Sequence, residues 1–266
     1  MPLLQLILVA LIQGITEFLP VSSSGHLILL PQLAGYDDQG LAIDVAVHIG
    51  TLGAVILYFR QDVRLALSGL PSLLKGRIDG WPPFLALCLI VATLPVIIVG
   101  ALLTLFDLTQ YLRSMAVIGW AMLIFGLVLY WADRQPETRA AQSWTLGHAL
   151  RMGLWQAVAL IPGTSRSGIT ITAARHLGYD RESAARLAML MSIPTILASG
   201  TLTGLEAAPT ITSDQLRDIA IATALAFLAA LGALVIMMRL LKSISFTPYV
   251  IYRCILGALL LVIAYS

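Results

Sequence analysis

Glu17, His26, Asp44, His48 and Arg166 stand in stretches that are otherwise almost free of charge. Gln13 and Glu17 are four residues apart, so they share one face of a helix. A carboxylate late in that helix suits a hard divalent cation or proton transfer. Gln13 alone reads equally well as an interhelical hydrogen bond. Ser22-Ser23-Ser24-Gly25-His26 follows, with three hydroxyls and an imidazole close together. Serine is a weak nucleophile until a nearby base takes its proton, and a turn can bring His26 within reach of Ser23. Ser24 also reads as the cap of a helix running from Gly25 onward.

Pro162-Gly163-Thr164-Ser165-Arg166-Ser167-Gly168 reads as an anion cradle. Gly163 lets the backbone approach closely. Ser165, Ser167 and the loop amides donate hydrogen bonds, and the following helix offers its N-terminus. Arg166 adds a planar guanidinium that matches phosphate oxygens in a bidentate way. Asp44 and His48, also four apart, can orient water or metal in the same cavity, and a supporting or structural role fits them as well. His148 and His176 read as solvated and without a role. Cys88 and Cys254 lie in apolar runs and read as small buried hydrophobes.

These groups must be positioned by a chain with lipid as its main solvent. Hydrophobic residues make up 59% of it and charged residues 11%, against about 25% in a soluble domain. So few charges cannot cover a water-exposed surface, and the mean hydropathy is +0.90. A net charge of +2 gives no footing for nucleic-acid binding. The first apolar run lacks a basic start and leads into Gln13 and Glu17 rather than a small-residue cleavage site, so no cleavable signal peptide is expected.

A membrane-crossing helix needs about 20 mainly apolar residues. Six stretches qualify, at about 41–59, 84–106, 114–132, 183–204, 216–238 and 247–265. Two more, 3–19 and 146–161, are broken by Pro, Ser and Gly and followed only by short runs to Leu33 and Leu177. They predict re-entrant helical hairpins, whose tips are tolerated at membrane depth only against a wet, protein-enclosed cavity. The segment 60–82, rich in Gly and Pro, reads as a solvated connector.

One shift carries Gln13 to Gln156, Ser22 to Ser165, Ser24 to Ser167, Gly25 to Gly168 and Gly35-Tyr36-Asp37 to Gly178-Tyr179-Asp180. A duplication explains that pattern. The chain then reads as a single integral membrane domain, 1–266, with repeat halves at about 1–135 and 144–266. Each half holds one hairpin and three spans, so the second is inserted upside down. The expected fold is an all-α polytopic membrane protein, six transmembrane helices plus two re-entrant helical hairpins in an inverted-topology repeat. Such folds place their sites near the midplane, where the halves meet. On this topology one face gathers Arg60, Arg64, Lys75, Arg77, Arg134, Arg139, Arg151, Arg175, Arg181, Arg186, Arg239 and Lys242, while the other has little beyond Arg113 and Arg217. Lys and Arg accumulate on the cytoplasmic side, which puts both termini on the outer face.

In order and spacing, these motifs resemble the undecaprenyl-diphosphate phosphatase family, the bacitracin-resistance proteins. Gln13-Gly-Ile-Thr-Glu17, Pro20 to His26, Pro162 to Gly168 and the run Asp44 to Thr51 match that family's segments over essentially the whole chain. The resemblance implies hydrolysis of undecaprenyl diphosphate to undecaprenyl phosphate and inorganic phosphate in the bacterial inner membrane, which recycles the cell-wall lipid carrier. It also implies a divalent cation, Mg²⁺ or Ca²⁺, and a site open to the outer face. By motif match, Ser23 is the expected nucleophile, His26 the general base, and Glu17 and Gln13 the acidic-motif pair and metal ligands. Arg166 is the diphosphate clamp, in a binding set with Ser165, Ser167, Ser22, Ser24 and Gly163. Gln13 in place of a second acid weakens a two-carboxylate metal site. Lipid substrate and bilayer are the expected partners, with a homodimer left open. The alternative reading is a transporter or flippase of a lipid phosphate, because inverted repeats and broken helices are also transporter features. A phosphatidic-acid-phosphatase type 2 site fits poorly, since Ser rather than Pro precedes Ser24 and His176 lies too far from Arg166.

Overall fold

The computed structural model describes residues 1–35, 38–112 and 114–266. Tyr36 and Asp37 of the repeat signature, and Arg113 of the less basic face, lie outside the described residues. Among the described residues, eleven α-helices follow in order: α1 Leu3–Thr16, α2 Ser23–Ala34, α3 Leu41–Tyr58, α4 Arg60–Leu74, α5 Trp81–Leu105, α6 Met115–Asp133, α7 Leu146–Ala157, α8 Arg166–His176, α9 Arg181–Ala207, α10 Ser213–Leu240 and α11 Thr247–Tyr265. Six of them (α3, α5, α6, α9, α10 and α11) are long and apolar enough to cross a membrane, as the sequence predicts. Among the described residues the only extended pairing is an isolated bridge between Arg139 and Tyr179.

Helix starts follow local chemistry. The Ser114 side chain accepts the Val117 amide at 3.2 Å, Thr145 accepts that of His148 at 3.2 Å, and Asp180 accepts that of Ser183 at 2.7 Å. Thr212 and Gln215 form a reciprocal capping box at the head of α10. Both short apolar runs break where expected, α1 stopping at Thr16 and α7 at Ala157, with a single 3₁₀ turn after α7.

The connector expected over 60–82 is mostly helix, α4. Val63, Leu67, Leu70 and Leu74 recur at helical spacing, which outweighs the Gly69 and Pro71 signals. Gly69 is a contact rather than a break: a Cβ there would meet the Pro82 carbonyl at 2.3 Å, so α4 lies close against the start of α5.

Ile98, Leu102, Ile124, Leu127, Leu228 and Ile236 are exposed, so the long helices turn large apolar side chains outward, toward lipid. Inside, small residues let helices touch. A Cβ on Gly50 of α3 would sit 2.3 Å from the Thr223 carbonyl of α10, and one on Gly153 of α7 would sit 2.5 Å from the Ala92 carbonyl of α5. Gly50→Ala is therefore expected to destabilise by about 1–3 kcal/mol, from overpacking against backbone that cannot yield. Thermal unfolding in detergent reads this, and an unchanged midpoint would mean that α3 and α10 separate freely.

Two packings position the site. α1 runs along α10, and α7 runs along α5. A buried cluster of Leu6, Val9, Ala10, Val47 and Ala226 fixes α1 to α3 and α10. Another, of Leu29, Ile118, Met122 and Leu260, fixes α2 to α6 and α11. The non-helical tips between α1 and α2 and between α7 and α8 meet inside this frame.

Candidate active site

Glu17 follows directly on α1, with its side chain 8% exposed, and three groups converge on its carboxylate. Ser23, the first residue of α2, donates its hydroxyl to Oε2 at 2.8 Å. Gln13 donates its amide to the same oxygen at 2.8 Å. Arg166, the first residue of α8, donates Nη2 to Oε1 and Nη1 to the Ser192 carbonyl, the latter at 3.2 Å. α2 and α8 thus place their first residues, a hydroxyl and a guanidinium, on opposite oxygens of one carboxylate. His48 Nε2 stands 4.0 Å from Glu17 Oε2, while its Nδ1 lies 2.7 Å from the Asp44 carbonyl. Asp44 accepts from Gln39 at 2.8 Å.

The tips are built alike. Ser22 has φ 72° and Ser165 has φ 69°, left-handed conformations that cost a non-glycine residue about 1–2 kcal/mol each. Ser22 and Ser24 hydroxyls pair at 3.0 Å, as Ser165 and Ser167 hydroxyls pair at 3.1 Å. Ser165 Oγ accepts the Gly168 amide at 3.1 Å and so caps α8, and the N-terminal ends of α2 and α8, which favour negative charge, begin at these tips. Ties between the tips hold the gap fixed. Gly163 N–H donates to Ser24 Oγ at 3.2 Å, and Ser167 Oγ donates to the Leu19 carbonyl at 2.9 Å. Ser24 is thereby a cross-hairpin acceptor; the expected helix cap at Gly25 is not formed, because α2 already starts at Ser23.

His26 is not brought to Ser23. Its Nδ1 lies 2.8 Å from the Ser22 carbonyl and its Nε2 lies 2.6 Å from the Tyr252 hydroxyl of α11, on which the ring stacks. Both ring nitrogens are occupied, and the group that holds the Ser23 hydroxyl is Glu17. Three neighbours were not singled out from sequence. Tyr252 is one. Arg253 is another: fully buried, it donates to the Pro20, Met122, Gly163 and Thr164 carbonyls at 3.4, 3.3, 3.1 and 2.9 Å. No carboxylate pairs with it among the described residues, so its charge adds to the positive field behind both tips. The third is Gln156, which the sequence offers only as the residue one shift from Gln13 and not as a site group; both are fully buried, and each has a side-chain Oε1 without a hydrogen-bond partner.

A cleft opens beside the carboxylate. One part, about 250 Å³, is lined by Glu17, Ser22–Ser24, Gly163, Ser165, Arg166 and Gln156. The adjoining part, about 710 Å³, is lined by Gln13, Ser23, Leu27, Ile28, Asp44, Val45 and His48. The first gathers the charged and hydroxyl groups alongside Val96, Leu160 and Ile196, and the second adds an apolar wall of Leu27, Ile28 and Val45. No group of three or more His, Cys, Asp or Glu side chains that could hold a metal exists among the described residues. Gln13, whose Oε1 lacks a hydrogen-bond partner, and Glu17, which its amide nitrogen reaches, are oxygen-bearing side chains of the kind a hard cation takes. A hydroxyl held on a carboxylate, facing a guanidinium and two helix N-termini, is equipped to attack an electrophile that carries negative charge.

The description "Bacitracin resistance protein BacA" matches residues 6–259. The chain belongs to the BacA bacitracin resistance family. BacA relatives extend over its full length. Proteins called undecaprenyl-diphosphatase from Dinoroseobacter shibae and Jannaschia sp. are each 67% identical over 100% of both chains. One from Hahella chejuensis, with the same name, is 47% identical over 98% of both. This BacA chain is accordingly a multi-pass helical membrane protein.

Proposed function

We propose that this chain is a membrane phosphatase that hydrolyses undecaprenyl diphosphate to undecaprenyl phosphate and inorganic phosphate, recycling the cell-wall lipid carrier. The carrying observation is the Ser23 hydroxyl held on Glu17 Oε2 at 2.8 Å, with Arg166 on the other oxygen. The full-length relatives called undecaprenyl-diphosphatase support the same reading.

The substrate's tail partitions into lipid, so its headgroup is met from within the bilayer. The apolar wall of Leu27, Ile28 and Val45 receives the first isoprene units, and the diphosphate reaches the polar end of the cleft. Ser23 Oγ attacks the terminal phosphorus and gives its proton to Glu17. The bridging P–O bond breaks, and undecaprenyl phosphate leaves as an anion that needs no proton. Water then attacks the phosphoserine, the Oγ–P bond breaks as Glu17 returns its proton to Ser23 Oγ, and inorganic phosphate departs with the water's protons. Arg166 and the tip amides, with Ser22, Ser24, Gly163, Ser165 and Ser167 around them, bind the phosphoryl oxygens. Positioning and electrostatics supply most of the rate in such transfers. His26 takes no proton from Ser23; with Tyr252 it orients the first tip. Gln13 Oε1 and Glu17 would hold a divalent cation, Mg²⁺ or Ca²⁺, and a bound cation neutralises diphosphate charge. Asp44 and His48 line the cleft as supporting groups.

In the membrane, α1–α2 and α7–α8 are re-entrant hairpins of an inverted repeat with halves of about 1–135 and 144–266. The matched strain at Ser22 and Ser165, and the exchange of α1 on α10 for α7 on α5, support it. We place the chain in the bacterial inner membrane with both termini and the mouth of the cleft outside, on the asymmetry of Lys and Arg.

Release of inorganic phosphate from a polyprenyl diphosphate in detergent, with Mg²⁺, Ca²⁺ or EDTA, tests the reading. Metal-dependent release is expected, and EDTA is expected to abolish it. No release by a folded sample in any metal overturns the phosphatase and leaves a carrier of lipid phosphates, which needs a bilayer to work.

A further inference from the structure

A second basic cavity lies at the open end of the α7–α8 pair, away from the tips. It measures about 440 Å³, and Arg139, Arg151, His148 and His176 line it together with Thr138 and Gly178. No carboxylate lines it. The nearest acids in sequence are engaged elsewhere. Glu137 pairs with Arg175 and Arg181, each at 3.3 Å, and Asp180 accepts from Ser183 N and Oγ at 2.7 and 2.8 Å. Among the described residues no carboxylate pairs with Arg139 or Arg151. Burial first, and then the nearby Arg139 and Arg151, hold the His148 imidazole below its usual pKa.

The cavity is built rather than incidental. Thr138 and Arg139 amides donate to the Gly178 carbonyl at 2.9 and 3.0 Å, and Asp180 N–H donates to the Arg139 carbonyl at 2.9 Å. Gly178 has φ +87°, and a Cβ there would meet Thr138 Oγ1 at 2.6 Å. His148 Nδ1 lies 2.7 Å from the Tyr179 hydroxyl.

We propose that this cavity binds the phosphate of an anionic phospholipid headgroup. Its surroundings favour a lipid over a free anion. Trp131 and Trp155 lie against His176, with ring centroids at 5.4 and 6.3 Å, and Trp131 is exposed. Leu150 and Leu154 of α7 are exposed beside Arg151 and continue as an apolar face where acyl chains lie. A basic pocket above an apolar wall, flanked by tryptophans, fits a headgroup at the membrane interface. The bound lipid braces α7 against α8 and so the hairpin that carries Arg166.

Native mass spectrometry of the full-length protein in detergent tests this with phosphatidylglycerol, phosphatidylcholine of the same chains, and inorganic phosphate. Selective retention of phosphatidylglycerol is expected. Arg151→Gln is expected to weaken it roughly fivefold, Arg151→Lys to recover most of it, and Lys242→Gln, an exposed cation outside the cavity, to leave it unchanged. Equal retention of both lipids, or an Arg151→Gln variant that binds like wild type, overturns the site. Inorganic phosphate bound without any phosphatidylglycerol preference overturns the lipid as its occupant. The readout is binding, so it stands or falls apart from turnover.

Discussion

Glu17→Gln is expected to lower kcat for phosphate release from a polyprenyl diphosphate by roughly a thousandfold, the range of a lost general base. The substitution keeps the side-chain size but removes the charged carboxylate that receives the Ser23 hydroxyl at 2.8 Å, so the group there can no longer take a proton. Ser23→Ala is expected to lose a similar factor, because the hydroxyl and the carboxylate work as one unit. The double variant should then be little worse than either single variant, since residues that act as a unit are non-additive. Rapid quenching with substrate labelled in its terminal phosphate gives an independent readout. Wild type should trap label on protein, and Ser23→Ala should not. Near-normal turnover by Ser23→Ala beside a dead Glu17→Gln would remove the serine intermediate and leave direct attack by water.

Most of what makes that experiment designable is legible in the sequence, and the reason is solvent. In lipid, each charge away from an interface demands a purpose, so Glu17 and Arg166 stand out without any structure. The six spans are equally legible, because length and apolarity are set by membrane thickness. What fails to show is what depends on distant partners. The spacing of Ser23 and His26 suggests a pair, yet His26 turns to the Ser22 carbonyl and to Tyr252 of α11. Nothing local encodes that contact. Arg253 is a different omission, since it lies within an apolar span and the rule that selects Arg166 applies to it. Its carbonyl ties to both tips explain why a lone cation is tolerated there. α4 was hidden by Gly69 and Pro71, which read as breakers although Gly69 serves close helix packing. The Gln13 orphan oxygen needs coordinates, because sequence gives the amide but not which of its atoms Glu17 leaves unused.

Arg166→Ala is expected to cost about a thousandfold or more in kcat/KM, comparable to the loss of an arginine that stabilises a transferring phosphoryl group. Two losses combine. The phosphoryl oxygens lose a bidentate donor, and Glu17 loses the cation that keeps it charged in a site where it is 8% exposed. Arg166→Lys separates them. Lysine restores a positive charge but not the planar fork that reaches Glu17 and the Ser192 carbonyl at once. Recovery of substrate affinity without recovery of kcat is therefore expected. Binding of a methylene diphosphate analogue, which cannot be cleaved, measures the first, and phosphate release measures the second. Full rescue by lysine would reduce Arg166 to a point charge and make its geometry irrelevant. That outcome would also undercut the symmetry of the site. Ser23 and Arg166 occupy the same position at the head of α2 and of α8, after matched left-handed serines. On the proposed mechanism the α1–α2 tip supplies the attacking hydroxyl and the α7–α8 tip the clamp. Neither tip holds all of these groups, so the proposed chemistry requires the two tips to be tied together, as Gly163 N–H on Ser24 Oγ and Ser167 Oγ on the Leu19 carbonyl tie them.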